Sequence, residues 1–345
     1  MCNYEIYKIL KLEISKSLIN ITEKIGRDIN LVQGPGGNIS FKSNGFMYIK
    51  ASGEKMSDAK NKNIFIKTDL IKILSSLESS DPDPIKNSWE KSSLMRPSIE
   101  TTMHALMPHK YVLHVHCVNT LSWVIQKNYH EKINIFLKGI NWKSVPYKKP
   151  GLNLSNEIKK IIKESIVDVI LLGNHGIVAG AESAERVFEI IKSISEKLYL
   201  SELNKKSLDL EKFNKYLLCR EYKLPKNKYV HQMAFSKIHS LIATKGDLFP
   251  DQTIFLENGL IIINSLEELI LLSKLRANKL PVVLIPNVGI IIPRTFTEVN
   301  EDTLVGLSMI ISRLPKDASI NYLTNKERNE LINWDLEIHR KKINN

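Results

Sequence analysis

Cysteine is scarce in this chain of 345 residues: three occur, Cys2, Cys117 and Cys219, and no two form a Cys-x-x-Cys pair. That excludes a disulfide framework and fits a reducing compartment. Long apolar runs are missing as well. The strongest, VDVILLG and PVVLIPNVGIIIP, are short and broken by Gly or Pro, so no bilayer-spanning helix is expected. The stretch MCNYEIYKILKLEISK is interrupted by charges and has no signal-peptide apolar core. A cytoplasmic protein without a membrane partner is the expectation. Concentrated basic blocks are also absent. The net charge of +12 comes from 49 Lys and Arg against 37 Asp and Glu. The excess is spread through Lys-, Ile- and Asn-rich stretches such as NKNIFIK and NINIFLK, a pattern of nucleotide composition. Nucleic acid is not an expected partner.

Apolar residues at 43% and charged residues at 25% describe an ordinary globular chain, long enough for two domains. Residues 4–25 carry apolar positions at helical spacing. LVQGPGGNIS breaks that period with a loop at 33–38, and ISFKSNGFMYIKAS reads as a hairpin around Ser43-Asn44-Gly45. A strand passes into a helix near residue 64. IETTMHALM forms a short helix over 99–107 that Pro108 ends. YVLHVHCV and VDVILLG read as strands, and SAERVFEIIKSISEKLYL as an amphipathic helix with Ser183 as N-cap. These elements place a domain over 1–205, a charged, irregular connector over 206–230, and a C-terminal α/β region over 231–345. VVLIPNVGIIIP (282–293) echoes VILLGNHGIVAG (169–180), with Val288 where the first copy has His175. The echo reads either as a chance recurrence of strand, turn and strand or as a degenerate partial repeat.

Chemistry concentrates in a few places. His114 and His116 share one face of a strand, because alternate residues project the same way. His175 follows a second apolar strand between glycines that let the turn aim its ring outward. A catalytic zinc site takes about three such ligands and keeps an open position; each histidine alone reads more readily as a hydrogen-bonded core or surface residue, and the three together read equally well either way. Glu100 starts a short helix and is the acid–base candidate, against the alternative of a carboxylate favoured by the helix dipole. His104, one turn on, orients Glu100 in this reading. GPGGNIS (34–40) and IKASGEK (49–55) offer glycine-rich backbone to an anion. Neither is a P-loop or a dinucleotide fingerprint.

Taken in order, QGPGGNIS, IKASG, PSIETTMHAL, VLHVHCVNT and LLGNHGIVAG resemble the class II aldolase/adducin family over roughly residues 10–200. The wording is most similar to the aldolase part of rhamnulose-phosphate aldolase/dehydrogenase-type proteins. FPDQTIFL, VVLIPNVGIII and NWDLEIHR resemble the segment that follows it there; no dehydrogenase half is expected in this chain. The resemblance implies a fold: an αβα sandwich around a mostly antiparallel sheet, with a smaller C-terminal α/β region. It also implies Zn²⁺, or another divalent transition metal, on His114, His116 and His175, with Glu100 as acid/base. The implied reaction is cleavage or formation of a C–C bond in a ketose or ketose phosphate through a metal-stabilised enediolate. Gly37, Asn38, Ser52, Gly53 and Ser98 are the implied substrate- or anion-binding residues. Pro35 and Ile99 stand where the family carries hydroxyls, which weakens a phosphate site, and Lys50 or Lys55 is a candidate to compensate. Family members are homo-oligomers, typically tetramers, in which a neighbouring tyrosine protonates the leaving aldehyde; Tyr147 is the candidate here, against a packing role. A sugar epimerase, decarboxylase or dehydratase and a non-catalytic adducin-like scaffold stay open, as does a separate dehydrogenase partner.

Overall fold

The computed structural model describes residues 14–91, 95–202, 206–276 and 279–344. The expected first helix lies partly outside them; its described part is α1 (Lys16–Gly26), capped by the Ser15 side chain. The chain divides into two compact units. One comprises residues 1–120 and 130–198, the other 121–129 and 199–345.

The first unit is built on β1 (Asn38–Ser43), β2 (Phe46–Lys50), β3 (Phe65–Asp69), β4 (Tyr111–Val115), β5 (Trp142–Val145), β6 (Val169–Leu172) and β7 (Gly176–Ala181). These form one sheet in the order β3-β2-β1-β4-β7-β6-β5. Every pairing is antiparallel except β5 with β6. The predicted Asn44-Gly45 turn closes β1 onto β2, both residues at positive φ.

Helices cover both faces. On one lie α2 (Leu70–Glu78), α3 (Thr101–Leu106) and, beyond α4 (Val118–Val124) and α5 (Tyr129–Ile133), α6 (Leu152–Glu164). Met103, Met107, Leu154 and Ile158 pack there on Val112, Ile170 and Val178. On the other lie α1 and α7 (Ala184–Lys197), the latter against β4 and β7 and capped by Ser183 as expected. This is the mixed α/β sandwich with a mostly antiparallel sheet that the resemblance implied.

The second unit holds a smaller sheet. Its strands are β8 (Tyr222–Lys223), β9 (Leu260–Ile262), β10 (Val282–Ile285) and β11 (Gly289–Pro293), in the order β8-β11-β10-β9. Helices α8 (Lys237–Lys245), α9 (Pro250–Phe255), α10 (Leu266–Leu275), α11 (Glu298–Ser312), α12 (Asn325–Ile332) and α13 (Asp335–Ile343) complete it. The stretch 206–230, expected to connect, is built into this unit. Phe213, Tyr216 and Tyr222 are buried in its core among the charged residues that disguise them in sequence.

The sequence echo extends far beyond one hairpin. The order β4-β7-β6-β5 repeats as β8-β11-β10-β9, with the same senses: antiparallel, antiparallel, then parallel. A helix separates the parallel strands in each copy (α6, α10), and another follows the hairpin (α7, α11). Leu172 pairs with Gly176 as Ile285 pairs with Gly289. The turns match residue for residue: Asn174 at φ 53° and Asn287 at φ 58°, then Gly176 at φ 146° and Gly289 at φ 147°. The second unit therefore repeats the half of the first that contains the histidine turn, without β1–β3.

Candidate metal centre

Three elements bring the site together. In β4, alternation turns Val112 and His114 to the same face, and His116 lies just past the strand end. The β6–β7 turn delivers His175. Gly176 is required there, because a Cβ would stand 2.4 Å from the Val115 carbonyl oxygen. The third element is β1, where Asn38 lies opposite His114 in the ladder. Gly37 precedes it at φ 63°, and a Cβ there would come within 3.0 Å of the His114 carbonyl oxygen. Glycine on both flanks thus lets neighbouring backbone close on the histidine strand.

The ring of His114 lies 5.0 Å from that of His116 and 4.8 Å from that of His175. All three residues are buried, and one ligand nitrogen from each falls within 4.8 Å of the others. His114 Nδ1 lies 3.0 Å from the Ile177 carbonyl oxygen. A carbonyl only accepts, so Nδ1 carries the proton and Nε2 is left as the ligand atom. A buried set of three imidazoles, one with its tautomer fixed by backbone, fits a divalent transition metal.

Glu100 immediately precedes α3 but makes no side-chain cap to it. Its carboxylate turns inward instead. Oε2 accepts from Asn38 Nδ2 at 2.8 Å and lies 3.3 Å from His114 Nε2, while Oε1 lies 3.4 Å from His175 Nε2. Burial alone would raise this carboxyl. Positive charge at the adjacent His114 and His175, with the Asn38 bond, outweighs burial and brings it to about 2.

His104, expected to orient Glu100, meets Asn38, which in turn bonds Glu100. Its Nε2 meets Asn38 Oδ1 and its Nδ1 lies 2.8 Å from Ser40 Oγ. Burial pushes its imidazole down to about 3, so it is neutral at ordinary pH. Ser40 was missed in the sequence, although it shares the strand face of Asn38.

The anion-binding candidates also converge, with their donors largely engaged. Asn38 Nδ2 donates to Ser98 Oγ at 3.1 Å as well as to Glu100. Ser98 Oγ accepts from the Glu100 amide at 3.2 Å, and the Ser52 amide donates to the Arg96 carbonyl at 2.8 Å. Lys50 is buried. Its Nζ donates to the carbonyls of Pro35 (3.1 Å) and Glu54 (2.5 Å), tying the glycine loop to the Ser52-Gly53 turn. Gly53 is at φ 79° in that turn. The backbone of Tyr147 passes Gly173, just before the His175 turn.

The family model of the class II aldolase and adducin N-terminal domain matches residues 16–199. The uncharacterized oxidoreductase YuxG of Bacillus subtilis (strain 168) is 29% identical over 195 residues, which is 52% of this chain and 28% of that protein. The chain thus spans little more than a quarter of that relative's length. Among solved structures, the N-terminal class II aldolase domain of a conserved protein from Thermoplasma acidophilum is 26% identical, with a TM-score of 0.46, over 53% of this chain and 90% of that one. The l-fuculose-1-phosphate aldolase of Thermus thermophilus is 14% identical, with a TM-score of 0.38, over 53% of this chain and 92% of that one. The match of the family model over more than half of the chain coincides with the unit that gathers His114, His116, His175 and Glu100, and on that ground the chain belongs to the class II aldolase and adducin family.

Proposed function

We propose that this protein is a metal-dependent lyase that breaks or forms a C–C bond in a ketose or ketose phosphate. The observation that carries the reading is the convergence of three buried imidazoles on the buried carboxylate of Glu100. His114, His116 and His175 would hold the metal, for which zinc is the proposed identity. When bound, a divalent ion polarises the substrate's oxygens and stabilises negative charge developing on them. Glu100 moves the proton. In the cleavage direction Glu100 takes the proton of the hydroxyl that becomes the aldehyde oxygen, and the C–C bond breaks. Its electron pair stays with the three-carbon ketone fragment, the aldehyde leaves, and Glu100 delivers that proton to carbon. Burial excludes bulk water from that transfer, and Asn38 holds the carboxylate in place.

The same constellation suits epimerisation, decarboxylation or dehydration, which differ in a second proton donor; the reaction products separate them. The proposed setting is a cytoplasmic homo-oligomer, a tetramer, with a small sugar or sugar phosphate as substrate. Pro35, Ile99 and the engaged Ser52 amide favour a sugar without phosphate. A separate dehydrogenase consuming the aldehyde is the proposed functional partner.

The test is metal content of the purified full chain beside a His114→Ala/His116→Ala variant, followed by aldehyde release from free and phosphorylated ketoses. About one zinc per chain, lost in the variant, together with aldehyde release, is expected. A native protein that takes up no metal from added zinc would move the reading to a non-catalytic scaffold.

A further inference from the structure

The polar chain behind Glu100 has a direction. Asn38 Nδ2 donates to two acceptors, Ser98 Oγ and Glu100 Oε2, so the Asn38 side chain meets His104 with its oxygen. His104 Nε2 must then carry the imidazole proton, and Nδ1 must accept from the Ser40 hydroxyl. Every donor points one way: Ser40 to His104, His104 to Asn38, Asn38 to Glu100. Ser40, Asn38 and His104 are all buried, at 0%, 4% and 0% exposure, so each depends on the others for its hydrogen bonds. The two carboxylate oxygens of Glu100 therefore differ. Oε2 is held by the relay, whereas Oε1 receives no hydrogen bond from a described residue.

We propose that His104 is a positioning residue: through Asn38 it anchors Oε2 of Glu100 and so assigns proton transfer to Oε1. This rests on the acid–base reading of Glu100. Its job is to fix the asparagine amide. Without the Nε2 donor, the buried Asn38 Oδ1 loses its partner, and the amide loses the contact that holds it firmly behind the carboxylate. His104 itself neither meets substrate nor exchanges a proton in the reaction, so its loss should lower turnover while leaving metal and substrate binding in place.

The test uses the zinc-loaded full chain and follows exchange of the hydroxymethyl protons of dihydroxyacetone and of its phosphate in D₂O by NMR. In that half-reaction a C–H bond breaks, the proton goes to Glu100, the electron pair goes to the ketone, and a deuteron returns to carbon. His104→Leu should keep its zinc and the KM for exchange and lose about tenfold to a hundredfold in kcat, the usual range for a residue supporting a functional group. His104→Gln, which restores a donor toward Asn38, should recover most of that loss. Ser40→Ala, a small change that leaves the fold intact, should show a fall in kcat alone. Full kcat in His104→Leu beside an inactive Glu100→Gln would overturn the relay alone. So would a His104→Gln variant as impaired as His104→Leu, or Ser40→Ala at full kcat. Full exchange in Glu100→Gln would remove the acid–base reading and the relay with it.

Discussion

Glu100→Gln preserves the shape of the side chain and removes its ability to take a proton. The variant should retain its metal and lose roughly 10²–10⁴-fold in turnover, the usual worth of a positioned acid or base. Retained zinc with wild-type turnover would assign proton transfer elsewhere. At this scale the sequence was informative where chemistry depends on residue type at short spacing. His114 and His116 two apart on a strand, and His175 between glycines, are brought together as a buried set. The Asn38–Glu100 bond was illegible, because it joins residues 62 apart in the chain through strand register. Lys50 reads in sequence as a charge offered to an anion. In the fold it is buried at 2% exposure and satisfied by backbone carbonyls, which only the packing of two loops could reveal.

The two hairpins, β6–β7 and β10–β11, make a natural controlled comparison. Their shared turn geometry places Val288 where His175 stands. Gly180 lies opposite Val112, and Pro293 opposite Tyr222. Carrying that pairing forward sets Leu224 at the position of His114 and Lys226 at that of His116. Val288→His should therefore leave zinc content at the wild-type value, since Leu224 and Lys226 stand at the other two positions; a second equivalent of zinc would contradict the correspondence. The second hairpin instead carries a pH-dependent element. His231 Nδ1 accepts from the Ile290 amide at 2.9 Å, which requires the neutral ring. Burial pushes its pKa from 6.5 down to about 4. Between those values the unfolded chain binds a proton that the folded one does not. Stability present above pH 6.5 is lost as pH falls and levels off near 4. Urea midpoints measured across this window should fall with pH, and less steeply in His231→Asn; parallel slopes would exclude His231 as a source. Strand alternation and turn residues made the hairpin legible from sequence, whereas the longer repeat was not. Its strands are short and its helices share pattern rather than residues.

The division of the chain into two units is not a division into two consecutive segments. Residues 121–129 belong with 199–345. There Gln126 bridges to Ile320, the Lys127 amide donates to Ser319, and the Asn321 amide donates to Ile125. Leu121, Val124 and Ile125 are buried, at 0%, 2% and 0% exposure. A chain cut after Leu198 would expose these side chains, each worth about 1.5–3 kcal/mol of burial. The truncated chain should melt at lower temperature than the full one and bind a hydrophobic dye; an unchanged melting temperature would make the first unit self-sufficient. Sequence reading placed a boundary near 205 because the charged stretch after it looks unstructured. It had no means of assigning nine residues to a partner segment far downstream.

That assignment has a consequence for synthesis. The ribosome releases Gln126 long before Ile320, its bridge partner about 190 residues later. At roughly 5–20 residues per second the interval is on the order of 10–40 seconds. Throughout it, Leu121, Val124 and Ile125 wait without the downstream residues with which they form one compact unit, on a chain whose histidine strand has already emerged. The nascent chain thus passes through a stage in which the three clustered histidines are all outside the tunnel while an apolar stretch shortly after His116 stays open to chaperones.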